Sequence, residues 1–165
     1  MLISVETPDE SSLVDHLITR EYRTKMLDWM LEVCFSFRCQ ERTWFLAAEL
    51  FDQYLMKKRG QHILSNHDVH SIGVQALFQA SKYEDIYAIT SHSASEKISH
   101  NVISVGEIKR RESHFVKLFD FQFEFLTAYD ICVTALTILE QELPLMADFF
   151  PKLRMRALYI LRTIL

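Results

Sequence analysis

The chain has 165 residues, 49% hydrophobic and 24% charged, a globular composition sized for one domain or one domain plus part of another. A net charge of −4 gives no electrostatic reason to expect a nucleic-acid partner, since phosphate binding wants a basic surface. Three cysteines, odd in number and without C-x-x-C spacing, argue against a disulfide framework or a zinc site and favour a reducing cytosolic or nuclear setting.

No apolar run reaches the length of a bilayer crossing, and the N-terminus turns acidic too soon for a secretory signal. Only three glycines and three prolines are present, so the expected fold class is all-α with long helices. In chain order, Asp15 to Arg20 predicts a short helix, with Thr19 as a cap at the break that follows. Tyr22, Met26, Trp29, Met30, Val33, Cys34 and Phe37 then form one stripe at helical spacing. Glu41 to Lys57 predicts a second helix with Trp44, Phe45, Ala48, Phe51, Tyr54 and Leu55 inward. The run Lys57-Lys58-Arg59-Gly60 supplies cations and then glycine, a favourable C-terminal signal.

The third predicted helix, from Asn66 or His67 to Glu84, is apolar on most sides. It is therefore expected to be the buried centre of the domain, with Gly73 admitting a close neighbour. Ser91 to Ser104 reads as a polar loop around one short helix. Gly106 to Phe119 predicts a fifth helix with Ile108, Phe115, Val116 and Phe119 inward. Ala128 to Glu142 predicts another, ended by Pro144, and a last helix runs from about Phe149 to Leu165 with Pro151 in its first turn.

No nucleotide loop or hydrolase motif is present, and the seven histidines are scattered, so neither catalysis nor a metal or cofactor is expected. What needs explaining is Ala80-Ser81-Lys82-Tyr83-Glu84-Asp85-Ile86-Tyr87. A lysine and two acids close a greasy segment, where charge is costly unless it is paired or used.

Together with Arg23-Thr-Lys-Met-Leu-Asp-Trp-Met-Leu-Glu-Val33 upstream and Glu112 downstream, that run resembles the cyclin box, from about Tyr22 to Tyr129. The resemblance implies a short N-terminal segment and helix over 1–20 and a five-helix box around a buried central helix over 21–125. An incomplete second helical repeat of two helices, opening at Thr127-Ala-Tyr-Asp-Ile131, follows over 126–165. It further implies a regulatory subunit with no catalysis of its own. Such a subunit forms a heterodimer with a cyclin-dependent serine/threonine kinase in cell-cycle or transcriptional control, in the nucleus, the cytoplasm or both.

By the same resemblance, Lys82 and Glu112 form an ion pair that meets the kinase, with Tyr83, Val116, Phe121 and Phe123 as apolar contacts around it. Arg23 and Asp52 match a structural ion pair between the first two helices. Tyr22, Met26, Trp29 and His70 match a groove for short linear motifs of substrates or inhibitors. Lys25 and His70 depart from the family pattern there, which implies a weakened or altered groove. Ser71 stands where a leucine is usual and is expected to loosen packing locally. Two alternatives share these helical repeats: a transcription adaptor similar to transcription factor IIB, and a degenerate cyclin acting as a kinase scaffold. The first would want a basic surface; the intact Lys82 and Glu112 argue against the second.

Overall fold

The structure, a computed structural model, describes Leu13 and residues 15–165, so most of the segment 1–20 lies outside the described residues. The chain divides into two compact units, whose described residues fall within Glu6–Phe125 and Leu126–Leu165. All regular structure among the described residues is helical.

Residues 15–17 of the first unit form a turn, not the helix expected from Asp15 to Arg20. Leu17 takes φ +51°, and Thr19 is extended because it caps the helix that follows, accepting from the Tyr22 amide at 3.4 Å. The stronger constraint is His16, whose imidazole is fully buried. Its Nε2 donates to the Leu55 carbonyl at 2.6 Å, and the Leu64 amide donates to Nδ1 at 3.5 Å. Burying that ring bends the chain where local propensity would have coiled it.

Helix α1 (Arg20–Phe37) buries Met26, Leu27, Met30, Val33 and Cys34, and ends at Arg38 in the left-handed conformation. Helix α2 (Glu41–Lys58) carries the aromatic core residues Trp44, Phe45 and Phe51. The Trp44 indole donates to the Leu27 carbonyl of α1 at 3.0 Å, satisfying a polar atom that burial would otherwise strand. Arg23 and Asp52 join the same two helices by a two-pronged pair, Nε to Oδ1 at 2.8 Å and Nη2 to Oδ2 at 2.6 Å. Both side chains are nearly buried, at 11% and 7% exposure.

Helix α3 (Asn66–Glu84) starts at a capping box in which Ser65 and Asp68 satisfy each other's backbone amides. Accepting from the Ser65 amide and hydroxyl holds the Asp68 carboxyl below its ordinary range despite partial burial. From Val69 to Ser81 the helix is buried at nearly every position, as expected of a central helix. Gly73 allows α1 to approach closely: a Cβ there would fall 2.3 Å from the Met26 methyl. A short segment α4 (Ser91–Ser93) continues as a π-helical turn, Ala94–Ile98. Helix α5 (Val105–Leu118) follows, capped by Ser104.

The second unit contains α6 (Ala128–Glu142), opened by a Thr127/Asp130 capping box, a 3₁₀ stretch Pro144–Phe149, and α7 (Phe150–Ile164). Pro144 follows directly on the end of α6, and Pro151 sits in the first turn of α7, where its missing amide costs nothing. Arg154 of α7 donates to the Thr137 hydroxyl at 3.3 Å and lies 3.8 Å from Glu140 of α6.

Because Asp52 and Arg23 are buried as a pair, Asp52→Ala leaves an uncompensated guanidinium in the core. The expected loss is about 3–5 kcal/mol of folding stability, read as a lowered midpoint in chemical denaturation.

Candidate functional site

Helix α3 ends in four charged or polar residues, and the structure sends them in different directions. Glu84 and Asp85 fold back onto the start of α2. The Asp85 carboxylate accepts from the Gln40 amide at 2.8 Å and the Thr43 hydroxyl at 2.7 Å through Oδ1, and from the Ser81 hydroxyl at 2.7 Å through Oδ2. Ser81 Oγ in turn accepts from the Ile89 amide at 2.9 Å. Glu84 pairs with Arg42 at 2.9 Å, and its carbonyl accepts from the Gln40 side-chain amide at 2.6 Å. Carboxylates at a helix C-terminus are repelled by its dipole, so they persist here because the start of another helix receives them. Sequence reasoning singled out these acids but assigned them no task. The signal was present in their unfavourable position at a helix end.

Lys82 points outward. Its ammonium donates to Glu112 of α5, and it also lies 5.4 Å from the centroid of the Phe78 ring. The pair stays partly open to solvent, at 45% exposure for the Lys82 side chain and 24% for Glu112. Next to it, the exposed Tyr83 ring lies 6.3 Å from the half-buried Phe123 ring, and the Tyr83 hydroxyl donates weakly to Glu124 at 3.5 Å. Partial burial and the Glu124 and Glu84 carboxylates raise the phenol above its ordinary range, so it stays neutral. Phe123 continues inward through Phe119 at 5.8 Å, and Phe119 stacks on the buried Phe115 at 4.8 Å.

After α5 the chain turns through Asp120 and Phe121, both at positive φ, and the Phe121 amide bonds back to the Val116 carbonyl at 3.0 Å. This left-handed conformation is unfavourable for a bulky side chain, yet Phe121 is 75% exposed. Val116 is half-buried on the same helix as Glu112. Lys82 thus pairs with Glu112 and the adjacent Tyr83 with Phe123, while Val116 and Phe121 are linked through the backbone. Ile86 and Tyr87, 87% and 94% exposed, extend the apolar surface in sequence beyond Tyr83. Sequence reasoning did not single them out as contacts, although apolar residues placed just beyond a helix end were the available signal.

The second group of candidate residues lies along α1 and α3. Trp29 is half-buried, with its ring 5.1 Å from that of His70. Burial, and then nearby His100, keep the His70 imidazole below its ordinary pKa and hence largely neutral at pH 7. Tyr22 is exposed, whereas Met26 is buried against Gly73. Lys25, the unusual cation here, donates to Glu21 at 2.6 Å and lies 5.9 Å over the Tyr22 ring. The Ser71 hydroxyl donates to the Asp68 carbonyl at 2.9 Å and accepts from Arg111 of α5 at 2.7 Å.

Among the described residues there is no group of three or more His, Cys, Asp or Glu placed to hold a metal ion, and no helix long and apolar enough to cross a membrane.

Residues 3–124 match the family model for the cyclin N-terminal domain. The chain belongs to the cyclin family. Mouse G1/S-specific cyclin-E1 is 32% identical over 120 residues, spanning 72% of this chain and 28% of that protein. The G2/mitotic-specific cyclin cig1 of Schizosaccharomyces pombe is 29% identical over 140 residues, covering 78% and 32% respectively. The chain therefore spans about a third of the length of these cyclins. A viral cyclin from herpesvirus saimiri shares the fold, with a TM-score of 0.67 and 23% identity over 83% of this chain and 56% of the viral one.

The division of labour at the end of α3 predicts unequal stability costs for nearby residues of this cyclin. Asp85→Ala strands the buried hydroxyls of Thr43 and Ser81 and is expected to cost about 1–3 kcal/mol. Lys82→Ala removes one side of a solvent-facing pair and is expected to cost about 0–1 kcal/mol. Thermal denaturation of the two variants checks the contrast.

Proposed function

We propose that this cyclin is a non-catalytic regulatory subunit that binds and activates a cyclin-dependent serine/threonine kinase in cell-cycle control, acting in the nucleus or cytoplasm. The observation that carries the reading is the Lys82–Glu112 pair, held partly open on the surface, with the exposed Tyr83 next in sequence and its ring near that of Phe123. An ammonium with donors to spare, oriented by a carboxylate, suits recognition of backbone carbonyls on a partner. Exposed aromatics on the same elements supply the area that excludes water when the partner arrives.

The mechanism requires no chemistry on the cyclin. A kinase whose C-helix glutamate sits away from the lysine that orients ATP is inactive. Docking against the α3–α5 face favours the conformation with that helix inward, and differential binding to the active state supplies the free energy. ATP and magnesium belong to the kinase. A second docking region follows from Tyr22, Trp29 and His70, for short linear motifs of substrates or inhibitors. The Lys25–Glu21 ion pair beside Tyr22 makes its rim charged, and the burial of Met26 makes it shallow, so its specificity differs from that of an apolar groove.

Replacing Lys82 or Glu112 by alanine is expected to weaken kinase binding by about 2–5 kcal/mol each, because either change strands its partner at a desolvated interface. The double variant is expected to lose less than the sum of the two, since the residues act as a unit. Titration of a cyclin-dependent kinase, followed by binding and by histone phosphorylation, reads both. Normal activation by both single variants would refute the assignment of this face.

A further inference from the structure

A cleft of about 250 Å³, counting its open mouth, lies where α2, α3 and α5 meet, near the N-terminal end of α3. Its apolar walls are Ile72 and a stacked pair of rings, Tyr54 and Phe115, whose centroids lie 5.4 Å apart. Its polar lining consists of Gln75, Arg111 and His114, together with the Ser71 hydroxyl that Arg111 already occupies. Gln75 is 3% exposed, and its Nε2 has no hydrogen-bond partner among the described residues. A buried donor left unmatched needs an explanation.

The groups facing the cleft are donors in excess. Arg111 spends Nε on Glu107 and Nη1 on Ser71, and no bond from Nη2 is found among the described residues. The surrounding field is positive. Glu107 is shared by two guanidiniums, those of Arg110 and Arg111. Lys58 lies 5.8 Å over the Tyr54 ring, and the charges of Lys58 and Lys117, after burial, hold the His114 imidazole below its ordinary range. The other carboxylate acting on this corner, Asp68, is committed to the amide and hydroxyl of Ser65. A single water offers two lone pairs to these donors, whereas a carboxylate offers about four and balances the charge.

We propose that this cleft binds a carboxylate, as presented by an acidic side chain of a peptide, with the Gln75 amide and the Arg111 guanidinium as its donors. The aliphatic stem of such a side chain fits against Tyr54 and Ile72, and the enclosed part has room for about two or three water-sized groups, enough for a carboxylate head. The site is separate from the Lys82–Glu112 pair and stands whether or not that pair meets a kinase.

The test is titration of the ¹⁵N-labelled chain, following the side-chain NH₂ resonance of Gln75. The probes are N-acetyl-glutamate N-methylamide, glutarate, the neutral glutamine analogue and inorganic phosphate. Saturable shifts at Gln75 with the glutamate derivative, absent with the glutamine analogue, are expected. Arg111→Gln is expected to weaken them by about tenfold or more, with the remaining amide spectrum unchanged. Tighter binding of glutarate than of the capped residue would keep the carboxylate chemistry and make a free dicarboxylate its source. The absence of saturation up to about 20 mM, equal binding by Arg111→Gln, or a preference for phosphate would overturn the proposal.

Discussion

Helix α3 is buried along most of its length and must nevertheless end in Lys82-Tyr83-Glu84-Asp85. The structure resolves this conflict by splitting the four residues. Asp85 and Glu84 are drawn inward as partners for the start of α2, where Gln40, Arg42 and Thr43 offer amide, guanidinium and hydroxyl donors. Lys82 and Tyr83 are thereby forced to the opposite side, above α5. One set of charge-assisted bonds closes the box and aims the surface pair. Without it, the end of α3 would carry like-signed charge against its own dipole.

The outward pair is poorly suited to stabilise the fold and well suited to recognition. Half-exposed ion pairs add little to folding because water competes for both partners. The same pair becomes valuable when a partner excludes that water, and the exposed Tyr83 and Phe121, with the half-buried Phe123, offer apolar area to do so. Phe121 contributes from a left-handed turn, a conformation its side chain does not favour, and remains exposed. A strained, exposed aromatic on the turn that follows the helix carrying Glu112 fits a surface held ready for a second molecule.

Much of this was legible in the sequence because the long helices carry strong period-3.6 patterns. The apolar run from Val69 to Ala80 announced the central helix, and Gly73 announced the close approach that Met26 makes. In the structure Arg23 pairs with Asp52 and Lys82 with Glu112, residues that the cyclin resemblance had singled out. What escaped depends on long-range partners. Asp15 to Arg20 reads as helical locally, but burial of His16 against Leu55 and Leu64 decides the turn. Ser71 reads only as a packing defect, and its partner Arg111, forty residues away in sequence, shows only in the fold. Glu84 and Asp85 show their task only once the start of α2 lies beside them.

The central claim is that the face built from the end of α3 and from α5 meets a kinase. Hydrogen–deuterium exchange of the chain, alone and with a cyclin-dependent kinase, tests it without altering a residue. The account predicts slowed exchange at the backbone amides of residues 86–88 and 121–124, which flank the pair and lie outside helices. Slowed exchange confined to the N-terminal half of α1 or to α6 and α7, with residues 86–88 and 121–124 unchanged, would contradict it.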